Sequence, residues 1–240
     1  MISNKTCYFN DKKDKIDVID NKVYINNVLA QEIGRGVDGI VYRYQDSAIK
    51  LYHDNSKIKS HLADYQIDML TSLKMKRIVL PKEKLISDTP NSGFVMQYID
   101  LETKDDILRT NRDDVLKQIS ELEEELSMIG DKNFLLDDMQ SRNLFYNGEL
   151  YLFDPDNLVY DKKTNFSRKN LEIFSWYFMR DVIFSLNNEL TEKEQTGLVR
   201  KLHYLYQKGK YISLAQFLGD NIYENSLSEF RENFKKEKVR

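Results

Sequence analysis

The chain has few of the features that mark secreted or membrane proteins. It contains one cysteine, Cys7, so no disulfide can form within it, and we expect an inert thiol there. The first fifteen residues have no apolar core, so no signal peptide is expected. The most apolar stretch, residues 173–186, is interrupted by Arg180 and Asp181, which favours a buried helix with Trp176 in its core over a membrane span. These features predict a cytoplasmic protein.

The charge balance also excludes classes of partner. The net charge of the 240 residues is −3, which gives no general electrostatic reason to bind nucleic acid or an anionic membrane. We therefore expect neither as a partner. The hydrophobic fraction of 41% and the charged fraction of 31% are typical of a globular chain long enough for one large domain or two small lobes.

The pattern of apolar residues changes character near residue 100. The first part favours short strands, with one helix predicted over residues 56–74, its apolar face formed by Ile58, Leu62, Tyr65, Met69 and Leu73. The second part favours helices, most clearly over residues 112–129, which Gly130 is expected to end. We predict an α+β protein with a strand-rich lobe over residues 1–98 and a mainly helical lobe over residues 99–240.

Glycine is scarce but locally concentrated. Of nine glycines, Gly34, Gly36 and Gly39 fall within six positions. This spacing also occurs in dinucleotide-binding folds, but there a helix follows, whereas here the strand-like run Ile40-Val41-Tyr42-Arg43-Tyr44 follows. No Gly-Lys-Ser/Thr is present, which excludes a P-loop. The glycines are therefore predicted in a hairpin.

The predicted hairpin has one chemically distinctive face. A two-residue turn at Gln45 and Asp46 would set Val41 opposite Lys50, with Ala48 on the same face. A small apolar face with one ammonium, under a glycine turn with free N–H groups, suits an adenine ring and its phosphates. The alternative is a flexible hairpin with a surface lysine.

A second group of polar residues lies further along the chain. Asp138 is followed by Asn143 and by a hairpin signal whose turn is Asn147-Gly148. A type I′ turn there would pair Tyr146 with Glu149 and Asn143 with Leu152, and would bring Asn143 close to Asp154. An amide oxygen and a carboxylate suit Mg²⁺. The alternative is a surface loop rich in Asp and Asn.

Together these motifs resemble the protein-kinase-like superfamily over roughly residues 30–160. Gly34 to Val41 fits the family's G-x-G-x-x-G-x-V, and Ala48-Ile49-Lys50 is similar to its A-x-K strand. Residues 94–99 resemble the strand leading to the interlobe hinge, Asp138 to Asn143 the catalytic loop, and Asp154-Pro155-Asp156 stands in place of D-F-G. The resemblance implies a bilobal kinase-like fold, with an antiparallel-sheet N-lobe carrying one helix and a mainly helical C-lobe.

The resemblance also implies roles for individual residues. ATP would lie against Gly34, Gly36, Gly39, Val41, Ala48, the gatekeeper Met96, and the backbone of Gln97 and Ile99. Lys50 would hold the α- and β-phosphates, and Asn143 and Asp154 would bind Mg²⁺. Asp138 would orient or deprotonate the acceptor hydroxyl.

Several departures from the family pattern bear on activity. Leu136-Asp137 replaces His-Arg, Gln140 replaces the catalytic-loop lysine, and the peptide-docking segment after Asp156 is short. The predicted helix over residues 56–74 has no glutamate for Lys50, so Asp64, Gln66 or Asp68 is expected to approach it when nucleotide is bound. In these respects the chain is closer to small bacterial kinase-like proteins and to the aminoglycoside and choline kinase branch.

Three functions remain open from the sequence. The protein-kinase form of the glycine motif favours a protein hydroxyl as acceptor. A small-molecule acceptor is the first alternative, and a pseudokinase, a binding module that keeps the fold and perhaps the nucleotide, is the second.

Overall fold

A computed structural model describes residues 2–54, 62–88, 92–100, 112–153, 158–183, 191–208 and 213–220. The described part mixes helices with antiparallel sheets, as the sequence predicts. None of its helices is long and apolar enough to cross a membrane.

The chain begins with an antiparallel sheet of four strands in sequential order. Its strands are β1 (Lys5–Phe9), β2 (Asp14–Ile19), β3 (Lys22–Ile25) and β4 (Val28–Leu29). Sequence reasoning missed β1 and β2, because lysines and aspartates interrupt their apolar residues. The turns carry positive φ angles at Asn10, Asp20 and Asn26, among others, and Asn and Asp tolerate this region better than most residues.

A second antiparallel sheet has five strands in the order β5-β6-β7-β9-β8. Its strands are β5 (Gln31–Arg35), β6 (Gly39–Tyr44), β7 (Ser47–Tyr52), β8 (Pro81–Lys84) and β9 (Gly93–Gln97). The hairpin of β6 and β7 turns at Gln45 and Asp46 and pairs Val41 with Lys50, which confirms the predicted register.

The two sheets share a hydrophobic core. One cluster combines Ile16 and Ile25 of the first sheet with Ile49 and Leu51 of the second, all 2% exposed or less. Cys7 is fully buried in this cluster, and burial raises the pKa of its thiol, in keeping with an unreactive role. The first sheet therefore covers one face of the second and leaves the other face for a site.

Helix α1 (Asp64–Thr71) differs from its prediction. Its buried face carries Gln66, Ile67 and Leu70, whereas Tyr65, expected on the apolar face, is 56% exposed. The start of the predicted helix, residues 56–61, lies outside the described residues. The hydrophobic pattern predicted the wrong buried face, because the buried face includes a glutamine, Gln66.

The second half of the chain surrounds the long helix α2 (Arg112–Asp131). The short strands are β10 (Phe134–Leu136), β11 (Leu144–Tyr146), β12 (Leu150–Leu152) and β13 (Leu158–Tyr160), of which β10 pairs with β13 and β11 with β12. Three helices follow, α3 (Ser167–Tyr177), α4 (Glu192–Gln207) and α5 (Leu214–Leu218), and a π-helical segment, Phe178–Ile183, extends α3. The strands β10 and β13 were not predicted.

The apolar face of α2 is confirmed, but two nearby residues differ from expectation. Ile119, Leu122 and Leu126 are fully buried. Gly130 does not end the helix: a Cβ there would lie 2.1 Å from the backbone nitrogen of Ser167, so glycine allows the chain before α3 to approach. Trp176, expected in the core, is 43% exposed.

A second side of α2, next to its apolar face, holds two other segments through polar side chains. The Glu125 carboxylate accepts backbone N–H bonds from Lys76, Arg77 and Ile78 at 2.8 to 3.2 Å. The Arg77 side chain, 3% exposed, donates to Glu121 at 2.6 Å and to the Leu150 carbonyl at 3.2 Å. Helix α2 therefore fastens residues 76–78 and strand β12 to the same surface.

We predict that Glu125→Ala lowers the free energy of unfolding by about 2 kcal/mol, because it leaves buried backbone donors without an acceptor. The matched control is Glu124→Ala, an exposed neighbour on the same helix, which should change stability by less than about 0.5 kcal/mol. Urea denaturation midpoints measure both effects. Equal midpoints for the two variants would contradict this assignment.

Candidate active site

The glycine segment forms a tight turn between strands β5 and β6. The Gly36 N–H donates to the Gly39 carbonyl at 2.9 Å, so one of the N–H groups expected to be free is used within the turn. Glu32 and Arg35 form an exposed ion pair at 2.7 Å beside it, and Val37 at the tip is 89% exposed. The turn thus projects from the sheet with little of its own packing.

The three glycines differ in the space around them. A Cβ at Gly39 would lie 2.4 Å from the Leu51 carbonyl oxygen, so the pairing of β6 with β7 explains that glycine. At Gly34 and Gly36 a Cβ would meet no protein atom closer than 3.9 Å, and neither residue has a positive φ. The described protein therefore does not itself require glycine at these two positions, whereas a ligand lying against the turn would.

The inner face of the five-stranded sheet is apolar around one lysine. Lys50, 8% exposed, lies between Val41 on β6 and Phe94 on β9. Ala48 pairs with Met96, and both belong to a small cluster against which Val41, Ile99 and Phe153 pack. The predicted face of small apolar side chains with one ammonium is present.

The segment that follows β9 is held at both ends. The Tyr98 N–H donates to the Asp46 carbonyl at 3.0 Å, and the Arg43 guanidinium lies 4.2 Å from the centre of the Tyr98 ring. At the other end the Asn147 amide donates to the Asp100 carbonyl at 2.7 Å. These bonds fix the backbone between Gln97 and Ile99 at the edge of the site.

The loop after β10 carries Asp138 and Asn143. The Asn143 side chain is buried, and its amide nitrogen donates to the Asp138 carbonyl at 3.1 Å, which leaves the amide oxygen as the atom for a cation. One Asp138 oxygen accepts from Arg142 at 2.8 Å. The other oxygen is buried and has no hydrogen-bond partner among the described residues.

The hairpin after Asn143 has a different register from the prediction. A type I′ turn needs positive φ at both central residues, and of the two only Gly148 has it, at +95°. The loop therefore spans Asn147, Gly148 and Glu149, and Leu144 pairs with Leu152. Asn143 consequently lies opposite Phe153, whose N–H donates to the Asn143 carbonyl at 2.8 Å.

Asp154, the second predicted metal ligand, lies outside the described residues, as does Asp156. The described residues contain no group of three His, Cys, Asp or Glu side chains able to hold a metal ion. The buried amide of Asn143 fits Mg²⁺ by its chemistry, since amide and carboxylate oxygens are the ligands this ion takes. The pairing of Asn143 with Asp154 stays a prediction.

Two of the three candidate partners of Lys50 bind other groups in this structure, and the third is exposed. The Asp64 carboxylate, 91% exposed, lies 3.4 Å from the Lys84 ammonium. The Gln66 side-chain oxygen accepts the Ala63 N–H at 2.7 Å and so caps α1. Asp68 is exposed on the same helix. Their approach to Lys50 in a nucleotide complex stays a prediction.

One cleft of about 430 Å³ joins these elements. Every predicted nucleotide-binding residue lines it, namely Gly34, Gly36, Gly39, Val41, Ala48, Lys50, Met96, Gln97 and Ile99, and so does Asn143. Asp138 does not line the cleft. It accepts a hydrogen bond from Arg142, which does line the cleft. The two groups of residues, far apart in sequence, therefore face one space.

Sequence reasoning missed three apolar residues of this cleft. Ile33 on β5 and the aromatic pair Phe145 and Phe153, with ring centres 5.1 Å apart, also line it. The available signal was the alternation along the second hairpin, where Leu144 and Leu152 are buried and the intervening aromatic side chains face the other side.

No protein-family model matches the chain, and no curated protein matches it. Among solved structures it is similar to the Legionella pneumophila Lpg2603 kinase bound to IP6, with 20% sequence identity, a TM-score of 0.42, and coverage of 92% of this chain and 95% of that chain. A TM-score of this size does not establish a common fold.

We predict that Gly36 affects nucleotide binding and that Gly39 affects the stability of the fold. Gly36→Ala should leave the urea midpoint unchanged and reduce the thermal stabilisation given by Mg-ATP, because the added methyl group meets the ligand and not the protein. The matched variant Gly39→Ala should lower the free energy of unfolding by about 2 kcal/mol or more through its clash with Leu51. Unimpaired ATP stabilisation in Gly36→Ala would show that the turn does not contact the nucleotide.

Proposed function

We propose that the protein binds ATP with Mg²⁺ in this cleft and transfers the γ-phosphoryl group to a hydroxyl. The observation that carries the proposal is that the glycine turn, Lys50 and Asn143 line one cleft. The turn offers close backbone approach, the lysine offers positive charge, and the asparagine offers a hard oxygen ligand. Phosphoryl transfer needs mainly such positioning and charge neutralisation.

The proposal includes a bilobal kinase-like fold with its boundary between residues 98 and 99. It is supported by the order of elements along the chain: a glycine hairpin, a lysine strand, one helix and an edge of the sheet, followed by α2, the Asp138 loop and the hairpin after Asn143. The adenine ring lies between Ala48 and the aromatic pair Phe145 and Phe153. The backbone of Gln97 and Ile99 pairs with its edge, with Met96 behind.

The chemical step uses few groups of this chain. The acceptor oxygen forms a bond to the γ-phosphorus, the bond from that phosphorus to the bridging oxygen breaks, and ADP leaves with the electron pair. The hydroxyl proton passes to the Asp138 carboxylate. Lys50 would hold the α- and β-phosphates. Asn143 and Asp154 would hold Mg²⁺, whose charge would offset that of the phosphate oxygens.

The acceptor belongs to one of two classes. The protein-kinase form of the glycine motif supports a serine or threonine hydroxyl of a protein, and the absence of an arginine before Asp138 supports activity without activation-loop phosphorylation. The short segment after Asp156 supports a small-molecule acceptor instead.

A pseudokinase is favoured by one specific contact. Arg142 forms an ion pair with Asp138 at 2.8 Å, so the guanidinium occupies one oxygen of the carboxylate that would meet the acceptor. In the active form Arg142 must turn towards the phosphates when nucleotide binds, which frees Asp138 for the acceptor.

We predict that millimolar Mg-ATP raises the melting temperature of the wild-type protein, and that the shift shrinks in Lys50→Ala because the phosphates lose a buried cation. Lys82→Ala, which removes an exposed lysine of the same sheet, is the control and should keep the shift. Absence of any shift in the wild type would overturn nucleotide binding.

We predict that Asp138→Ala keeps the Mg-ATP melting shift and loses phosphoryl transfer by about 100-fold or more. Incubation with γ-labelled ATP, with cell extract and with a panel of aminoglycosides, sugars and amino alcohols, measures transfer. A labelled protein supports a protein hydroxyl as the acceptor, and a labelled small molecule supports the alternative. Strong ATP binding with no labelled product in the wild type would establish the pseudokinase.

A further inference from the structure

The contact between Asn147 and Asp100 joins the edge of the nucleotide cleft to the second half of the chain. The Asn147 side-chain amide donates to the Asp100 carbonyl at 2.7 Å. Among the described residues, no other hydrogen bond connects residues 97–100 with residues 112–220. Asp100 lines the cleft, whereas Asn147 does not. Any effect of Asn147 on a bound nucleotide must therefore pass through the Asp100 carbonyl.

The orientation of the Asn147 amide is set by its own loop. The amide oxygen accepts the Glu149 N–H at 3.3 Å, which leaves the amide nitrogen to donate to the Asp100 carbonyl. A side-chain amide offers both an acceptor and donors, and here each of them meets its complement. An aspartate at this position would keep the bond to Glu149 and lose the bond to Asp100.

The loop that carries Asn147 is held by helix α2. The buried Gln118 side chain donates to the Gly148 carbonyl at 3.2 Å and accepts the Leu150 N–H at 2.6 Å. These two bonds fix the backbone directly after Asn147. The Asp100 carbonyl is therefore connected to α2 through one side chain and one short loop.

The same edge of the cleft is held to the first half of the chain by separate contacts. The Tyr98 N–H donates to the Asp46 carbonyl at 3.0 Å, and Gln97 pairs with Ser47 where β9 meets β7. Ile99, between these contacts and Asp100, packs against the small apolar cluster of the cleft. Residues 97–99 thus lie between an anchor in each half of the chain.

We propose that Asn147 is a positioning residue for the nucleobase. Through the Asp100 carbonyl it fixes the backbone groups of Gln97 and Ile99 that pair with the edge of the base. The inference rests on the proposed nucleotide binding and adds the residue that sets the affinity for the base. The glycine turn and Lys50, which would hold the phosphates, belong to strands β5 to β7 and not to this loop. Loss of the Asn147 amide should therefore weaken binding of the base and not of the phosphates.

Two probes separate the base from the phosphates. Adenosine presents the base without phosphates, and inorganic tripolyphosphate with Mg²⁺ presents the phosphates without a base. Isothermal titration calorimetry on the full chain gives a Kd for each probe. We expect Asn147→Asp to weaken adenosine binding about fivefold, the worth of one exposed hydrogen bond, and to leave tripolyphosphate binding unchanged.

Two further variants test the cause of the effect. Asn147→Ala removes the amide without adding a charge, and it should weaken adenosine binding by about the same factor as Asn147→Asp. Asn27→Asp makes the same chemical change on an exposed turn of the first sheet and should alter neither Kd. A general loss of structure would weaken both probes together, and urea denaturation midpoints report such a loss directly.

Several results would overturn this role of Asn147 while leaving nucleotide binding in place. They are adenosine binding unaffected by Asn147→Asp, equal weakening of adenosine and tripolyphosphate, and Mg-ATP binding by a wild-type protein that does not bind adenosine. In the last case the base contributes no affinity for Asn147 to set. A wild-type protein that binds neither probe nor Mg-ATP would overturn the proposed function and this inference together.

Discussion

The candidate site depends on the row of polar side chains along helix α2. Glu125 accepts the backbone N–H groups of residues 76–78, and Gln118 accepts the Leu150 N–H at 2.6 Å while donating to the Gly148 carbonyl at 3.2 Å. The backbone N–H groups of Arg77, Ile78 and Leu150 belong to buried residues, and each would cost about 1–3 kcal/mol if left unpaired. The same helix therefore fixes the segment that leads into the sheet edge at β8 and the hairpin that follows Asn143. Both walls of the cleft are therefore held against the same helix, α2.

The features predictable from the sequence were those with local causes. The pairing of Val41 with Lys50 followed from a two-residue turn between alternating strands, and such a turn leaves only one register. Helix α2 followed from apolar residues at helical spacing. The shared lining of the cleft by Gly34, Lys50 and Asn143 was predicted from the order of the motifs, which resembles that of the protein-kinase-like superfamily.

The features missed from the sequence had causes that act at a distance. The four-stranded sheet is stabilised by packing of Ile16 and Ile25 on the second sheet, which no local pattern reveals. The inner face of α1 includes Gln66, whose burial depends on its capping bond to Ala63. The three-residue loop around Gly148 gives a register that differs by one residue from the prediction, and Trp176 lies on the exposed side of α3. Propensity and periodicity do not contain these tertiary contacts.

The most direct test of the central claim is a crystal structure with Mg²⁺ and a non-hydrolysable ATP analogue. The account predicts that the adenine edge pairs with the backbone of Gln97 and Ile99 and that the phosphates lie between the glycine turn and Lys50. It also predicts an ion bound to the Asn143 amide oxygen and to Asp154, with Arg142 turned away from Asp138. A nucleotide bound outside the cleft, or one whose phosphates contact neither Lys50 nor the glycine turn, would contradict it.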